Sequence, residues 1–198
     1  KDFCINILDT PGHQDFSEDT YRTLMAADSA VMIIDGAKGV EAQTRKLFHV
    51  CSIREIPIFT FINKMDRETR DIFELMEEIE NEFGIRSYPM NWPIGCGVDF
   101  KGVYDRRTKE IIVFDDGKHG QIEVKETKIN AFDEKAIELI GDDLYNKLME
   151  DMELLDVAGD DFDLEKVANG ELTPVFFGSA STNFGVEPFL ESFLELTS

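Results

Sequence analysis

The sequence predicts a three-layer α/β fold with a mostly parallel sheet, interrupted by an α+β insertion. Apolar runs of strand length alternate with amphipathic helical patterns, and each run is followed at once by polar residues or glycine. Runs that are apolar throughout are typical of parallel strands covered on both faces by helices. One long segment breaks the alternation, and its short strand patterns and acidic helical patterns indicate an inserted sub-domain.

The predicted parallel strands carry polar chemistry at their carboxyl ends. The strands are residues 3–8, 30–34, 58–62 and 175–177, and they are followed in turn by Asp9, Asp35, Asn63 and Gly178-Ser179. Ligands of such sheets bind just outside the carboxyl ends of the strands. The sequence therefore predicts a ligand site at this edge of the sheet.

Three helices are predicted between and after these strands. Apolar residues recur at three- and four-residue spacing over residues 72–83, and Gly84 follows as a helix stop. The other two helices are predicted at residues 41–52 and at residues 188–196, where Pro188 suits the first turn.

The inserted sub-domain is predicted at residues 91–172, with Trp92 as its anchor. Short antiparallel strands are expected at residues 103–104, 110–114 and 121–124, with a turn at 115–117, and acidic helices at residues 133–140, 142–156 and 163–169. The parallel-sheet domain then comprises residues 1–90, which begin at the strand before Asp9, and residues 173–198, which hold the last strand and helix.

Composition restricts the possible partners. The 198 residues include 41 acidic and 20 basic side chains, so the formal net charge is -21, and such a surface argues against direct nucleic-acid binding. No apolar run is long enough to cross a membrane. Cys4 and Cys51 lie in apolar patterns and are predicted to be buried, reduced thiols, which favours a cytoplasmic protein.

The first candidate loop is Asp9-Thr10-Pro11-Gly12-His13. Asp9 ends a strand, where its carboxylate can reach a magnesium ion through water. Gly12 has no side chain, so its backbone N–H can approach a γ-phosphate oxygen. His13 is the candidate catalytic residue, which orients the attacking water. Asp-x-x-Gly alone is also a common tight turn, and the other loops favour the nucleotide-binding interpretation.

The second candidate loop is Asn63-Lys64-Met65-Asp66. The Asp66 carboxylate can accept hydrogen bonds from N1–H and the 2-amino group of guanine, whereas adenine cannot donate both. Lys64 can lay its aliphatic stem over the base plane, and Asn63 can brace neighbouring loops. The same tetrapeptide is also a good turn sequence.

The third candidate loop follows the last strand. A backbone N–H at Ala180 can read guanine O6, and Ser179 can hold the Asp66 loop. By itself Gly-Ser-Ala carries little information, and its value comes from its order and its position after a strand. The three loops together predict binding of GTP or GDP with Mg²⁺.

These loops resemble those of translational GTPases. The run DTPGHQDFSEDTYRTL at residues 9–24 is similar to the bacterial peptide chain release factor 3 family, and so are WPIG at 92–95, FKGVYD at 100–105 and PVFFGSA at 174–180. The resemblance implies a P-loop NTPase-type G domain with an insertion of the elongation factor G type. It also implies a GTPase that promotes release of class I release factors from the ribosome.

One element of such a site is missing from the sequence. No Gly-x-x-x-x-Gly-Lys-[Ser/Thr] loop precedes Asp9, although the phosphates require one. We therefore expect a piece of a larger GTPase, cut after the phosphate-binding loop and first switch, and inactive by itself. Two alternatives stay open, an elongation factor G-like or ribosomal protection GTPase and a binding-only fragment without catalysis. Gln14 and the Asp19-Thr20-Tyr21 run argue against the first.

Overall fold

The structure is a computed structural model that describes residues 4–10, 18–114 and 126–197. Its strands are β1 (Ala30–Asp35), β2 (Ile58–Asn63), β3 (Arg86–Pro89), β4 (Asn91–Ile94), β5 (Gly102–Asp105), β6 (Glu110–Phe114), β7 (Glu126–Asn130) and β8 (Leu172–Phe177). Its helices are α1 (Glu18–Met25), α2 (Ala42–Ile53), α3 (Ile72–Phe83), α4 (Glu134–Ile140), α5 (Asp142–Ala158), α6 (Leu164–Ala168) and α7 (Val186–Leu196), and a short 3-10 helix lies at Gly97–Asp99.

The first sheet is parallel, with strand order β1-β2-β8-β3. Its centre is apolar, and Ile62 and Phe177 are fully buried. The strands predicted from their apolar runs at residues 30–34, 58–62 and 175–177 are confirmed. The sequence does not predict β3, because its four residues include polar side chains and its partner, β8, lies far along the chain.

The strand predicted at residues 3–8 is wrong over its described part. Residues 4–10 form no regular structure, Ile7 is 84% exposed, and Cys4 is exposed rather than buried. An apolar run becomes a strand only where a neighbouring strand completes its backbone hydrogen bonds. Within the described residues β1 pairs with β2 alone, and Ile33 on β1 is 60% exposed.

The helix predicted at residues 72–83 is confirmed as α3, and its ends have clear causes. The Asp71 side chain caps the first turn by accepting from the backbone N–H groups of Phe73 and Glu74. Gly84 ends the helix in the left-handed conformation, with φ of 66°. Helix α2 lies one residue later than predicted, and α7 begins two residues earlier than predicted and ends at the predicted residue.

The second sheet is an antiparallel meander with strand order β4-β5-β6-β7. The strands predicted at residues 103–104 and 110–114 are confirmed as β5 and β6. The strand predicted at 121–124 and the turn at 115–117 lie outside the described residues. Strand β4 contains Pro93, which is tolerated because β4 lies at the edge of the sheet.

Trp92 on β4 anchors this second sheet, as the sequence predicts. It is 1% exposed and its indole Nε1–H donates to Asp151 Oδ2 on α5 at 3.0 Å. Its ring packs against Phe73 on α3 and Phe177 on β8. One side chain therefore joins the antiparallel sheet, α5 and the parallel sheet.

Among the described residues, none of the helices combines the length and apolar character needed to cross a membrane.

Candidate functional site

Two of the predicted loops meet because their strands are neighbours in the parallel sheet. Strands β2 and β8 pair directly, so the Asp66 loop (residues 63–68) and the Ser179 loop (residues 178–185) leave the sheet side by side. The backbone N–H of Met65 donates to Gly178 O at 3.1 Å, and that of Gly178 donates to Ile62 O at 3.1 Å. The loops are therefore fixed to each other at their roots.

Asn63 braces the two loops with one side-chain oxygen. Its Oδ1 accepts from the backbone N–H of Lys64 at 2.8 Å and from that of Ala180 at 2.9 Å. The bracing predicted for Asn63 is thus present in the geometry. The Ala180 N–H, predicted to read a base oxygen, is engaged by Asn63 in this structure, so a bound base has to share that donor or replace Asn63.

The Asp66 carboxylate is held by two hydroxyl groups from the Ser179 loop. Ser179 Oγ donates to Asp66 Oδ1 at 2.6 Å, and Ser181 Oγ donates to Asp66 Oδ2 at 3.3 Å. Ser179 is fully buried while Asp66 is partly exposed. Each carboxylate oxygen can accept more than one hydrogen bond, so Asp66 is fixed in place and still has acceptor capacity toward a ligand.

Lys64 has a partner that the sequence prediction did not assign. Its backbone is left-handed, with φ of 70°, and its Nζ donates to Asp35 Oδ2 at 2.7 Å. Burial tends to raise the pKa of Asp35, but hydrogen bonds from Lys64 and from the Ala37 backbone N–H outweigh it, so the pKa lies below its ordinary value. The ion pair holds the Lys64 side chain across the carboxyl end of β1.

Met65 belongs to the core rather than to the ligand-facing surface. Its side chain is fully buried, and its backbone carbonyl accepts from the N–H of Gly97 at 2.9 Å. Beside Asp66 there is an open depression of about 340 Å³, which is lined by Asp66, Arg67, Glu68, Cys96, Gly97 and Val98. A ligand group that reaches Asp66 has space on this side of the loop.

The structure describes only part of the first candidate loop. Asp9 is exposed and Thr10 is partly buried, whereas Pro11, Gly12 and His13 lie outside the described residues. No group of three or more metal-ligating side chains occurs among the residues that are described. Magnesium beside nucleotides is held by one or two carboxylates together with phosphates and waters, so the single carboxylate of Asp9 is compatible with that chemistry.

Sequence reasoning missed Ser181 and the pairing of Asp35 with Lys64. The signal for Asp35 was present, because Asp35 directly follows an apolar strand beside the strand that ends at Asn63. Ser181 gave no such signal, since a second serine in a short polar loop is common. Its contact with Asp66 depends on the path of the Ser179 loop.

Comparisons with known proteins show which family and which proteins this chain resembles. The family model for the elongation factor Tu GTP binding domain matches residues 1–198. Peptide chain release factor 3 of Gloeothece citriformis (strain PCC 7424) is 60% identical over 195 residues, which are 98% of this chain and 36% of that protein. The protein of the same name from Symbiobacterium thermophilum is 59% identical over 192 residues, 97% of this chain and 36% of that protein.

The chain spans about a third of the length of the curated relatives it matches. Among solved structures, a crystal structure of a protein from Thermus thermophilus is similar with a TM-score of 0.69, covering 95% of this chain and 29% of that one. The two sequences are 22% identical, so this likeness concerns the fold alone.

Proposed function

The chain belongs to the family of elongation factor Tu GTP binding domains, and from this premise we propose that it is the guanine-nucleotide domain of a GTPase that acts in translation termination. The observation that carries the proposal is the fixed Asp66 carboxylate, which Ser179 holds at 2.6 Å. The names of the relatives, peptide chain release factor 3, support the termination step.

Base selection follows from the acceptor character of Asp66. Guanine offers N1–H and the 2-amino group side by side, and one carboxylate accepts both. Adenine lacks this pair of donors. Hydrogen bonds to a charged group contribute roughly 1.5–3 kcal/mol each, so two of them select guanine strongly. The stem of Lys64 covers the base plane, and the Ala180 N–H is the donor for guanine O6.

The phosphate side of the site is proposed from the first loop. Asp9 is the residue that would hold Mg²⁺, and the Gly12 N–H would donate to the γ-phosphate. The bound Mg²⁺ would neutralise charge on the phosphate oxygens. His13 orients the water that attacks the γ-phosphorus. Water positioning of this kind acts on turnover more than on nucleotide affinity.

In the full-length protein we propose that GTP binding and hydrolysis drive release of class I release factors from the ribosome, in the cytoplasm. The formal net charge of -21 disfavours contact with ribosomal RNA by this part of the protein and favours contact with basic proteins.

A displacement assay tests the base assignment. Fluorescent GDP bound to the full-length protein should be displaced by unlabelled GDP with Mg²⁺, but not by ADP at the same concentration. Equal displacement by ADP would contradict it. The termination role is tested separately, by measuring GTP-dependent dissociation of a labelled class I release factor from terminated ribosomes. No acceleration over a reaction without GTP would exclude that role.

A further inference from the structure

The Ser179 loop is closed by Phe184. The backbone N–H of Ser179 donates to Phe184 O at 2.8 Å, and the N–H of Phe184 donates to Ser179 O at 2.9 Å. This reciprocal pair forms a short antiparallel bridge. The position of Phe184 therefore sets the position of Ser179, and through the Ser179 hydroxyl it sets the position of the Asp66 carboxylate.

The ring of Phe184 packs against two aromatic rings from residues 100–114. It stacks on Phe114 of β6, with ring centroids 4.7 Å apart and planes inclined by 27°. Phe100, just after the 3-10 helix, lies 6.2 Å from the same ring. All three side chains are buried. Stacked aromatic side chains resist displacement because each buries a large apolar surface.

The Asp66 loop is held by the same part of the chain. The backbone N–H of Gly97 donates both to Met65 O at 2.9 Å and to Arg67 O at 3.1 Å, so it holds the residues on either side of Asp66. Asn91 on β4 exchanges two hydrogen bonds with the backbone of Phe177, two residues before Ser179. Both loops thus rest on residues 91–114.

We propose that Phe114 is a positioning residue for guanine recognition and that the antiparallel sheet controls how long the nucleotide stays bound. The proposal rests on the proposed function of the Asp66 and Ser179 loops. A shift of β6 moves Phe184, which moves Ser179 and loosens Asp66. A partner that displaces this sheet would therefore speed nucleotide dissociation without touching the nucleotide.

The test compares two matched aromatic pairs in the full-length protein. Phe114→Leu removes one ring of the Phe114–Phe184 stack. Phe48→Leu removes one ring of the Phe48–Phe83 stack between α2 and α3, whose centroids are 4.1 Å apart and whose planes are inclined by 25°. Phe48 and Phe114 are similarly buried, so both variants should lose comparable stability in thermal melts.

Two readouts separate a specific effect on the position of Asp66 from a general loss of stability. The first is the dissociation rate of fluorescent GDP well below the melting temperature. The second is the ratio of IDP to GDP dissociation constants, because inosine lacks the 2-amino group that Asp66 accepts from. Phe114→Leu should raise the GDP dissociation rate roughly tenfold, a change equivalent to about 1.4 kcal/mol. It should also lower the ratio of the IDP dissociation constant to the GDP dissociation constant toward 1. Phe48→Leu should leave both unchanged.

Equal changes in the two variants, or no change in Phe114→Leu, would overturn the proposal while leaving guanine binding intact. A wild-type protein that binds no GDP would overturn the proposed function, and this inference with it. If Phe114→Leu fails to fold, Phe100→Leu replaces it, since Phe100 makes the more distant contact with Phe184. That variant should change both readouts in the same direction, and unchanged readouts would again reject the proposal.

Discussion

Ser179 Oγ donates a 2.6 Å hydrogen bond to Asp66 Oδ1 across 113 positions of sequence. Ser179 is fully buried, so its hydroxyl is held in one place by the surrounding core. A charged acceptor that is fixed before the ligand arrives loses less side-chain entropy on binding. This relationship is the structural basis for the first two predictions.

Replacing Ser179 should weaken guanine binding. Ser179→Ala removes a charge-assisted hydrogen bond worth roughly 1.5–3 kcal/mol, and part of that loss should appear as about tenfold weaker GDP binding in calorimetry. Ser181→Ala is the matched control, because its bond to Asp66 is longer, at 3.3 Å, and its effect should be smaller. An equal loss in both variants would remove the special role of Ser179.

Replacing Asp66 should change which base is bound. In Asp66→Asn the amide can donate to the additional carbonyl of xanthine, where guanine carries its amino group. We expect GTP affinity to fall by roughly 100-fold or more, from the two charged hydrogen bonds, and XTP affinity to rise. Titrations with both nucleotides check this, and unchanged GTP affinity would eliminate Asp66 as the base reader.

Replacing His13 should affect turnover rather than binding. His13→Ala in the full-length protein should keep its GDP affinity and lose most of its ribosome-stimulated GTP hydrolysis, since elements of this kind are worth roughly 10³–10⁵ in rate when assembled. Single-turnover phosphate release on ribosomes measures the effect. His49→Ala, on the exposed face of α2, is the control. Near-normal stimulated hydrolysis in His13→Ala would assign water positioning to another residue.

The ion pair between Asp35 and Lys64 should make a pH-dependent contribution to stability. The pKa of Asp35 in the folded protein lies below its ordinary value of 3.8, so the pair stabilises the fold at neutral pH and its contribution disappears as the pH falls through the folded pKa. Asp35→Asn should therefore cost roughly 0.5–1 kcal/mol at neutral pH and nothing in strong acid.

Urea unfolding at neutral pH, and again at a pH far enough below 3.8 to protonate Asp35 in the folded protein, measures this difference. Glu41→Gln is the control, because both side chains of the Lys38–Glu41 pair are more than half exposed and their contact is 3.4 Å. It should be nearly neutral at either pH. If Asp35→Asn still lowers the free energy of unfolding in acid, the Asp35 side chain stabilises the fold through its packing and not through its charge.

Trp92→Phe should destabilise the junction between the two sheets. It removes the donor that Trp92 Nε1 gives to the buried Asp151, while Lys147 Nζ stays 2.7 Å from the same carboxylate. Removing one donor from this buried carboxylate should lower the free energy of unfolding by about 1–3 kcal/mol. Leu154→Ala on the exposed side of α5 should change the free energy of unfolding by less than about 0.5 kcal/mol.

Local patterns predicted most of the parallel sheet and its helices. Strands β1, β2 and β8 follow from their apolar runs, and α3 has both a periodic apolar face and clear end signals at Asp71 and Gly84. Such elements are readable because the information lies within one short window. Residues 3–8 have a composition like that of the confirmed strands, yet their described part is exposed, because composition alone does not provide a pairing partner.

The meeting of two candidate loops was predictable from the sequence, but the contacts that support these loops were not. Asn63, Asp66 and Ser179 follow apolar strands, so their meeting could be inferred from the order of the strands. The hydrogen bonds from Gly97 to Met65 and Arg67, and the stack of Phe114 on Phe184, depend on how the antiparallel sheet lies against the loops. No strand end or periodic pattern in the sequence marks these contacts, because they depend on how the insertion packs and not on which residue follows a strand.

The pairing of β2 with β8 also determines when the site forms during folding. Thr173 Oγ1 donates to Ile58 O and bonds Thr60 Oγ1, closing a loop of 115 positions between these buried residues. Contacts of such long range form late, since the entropy of loop closure is lost before they contribute. On a ribosome making this protein, the Asp66 loop emerges long before the Ser179 loop, so the guanine recognition that we propose for these loops begins only when β8 has docked beside β2.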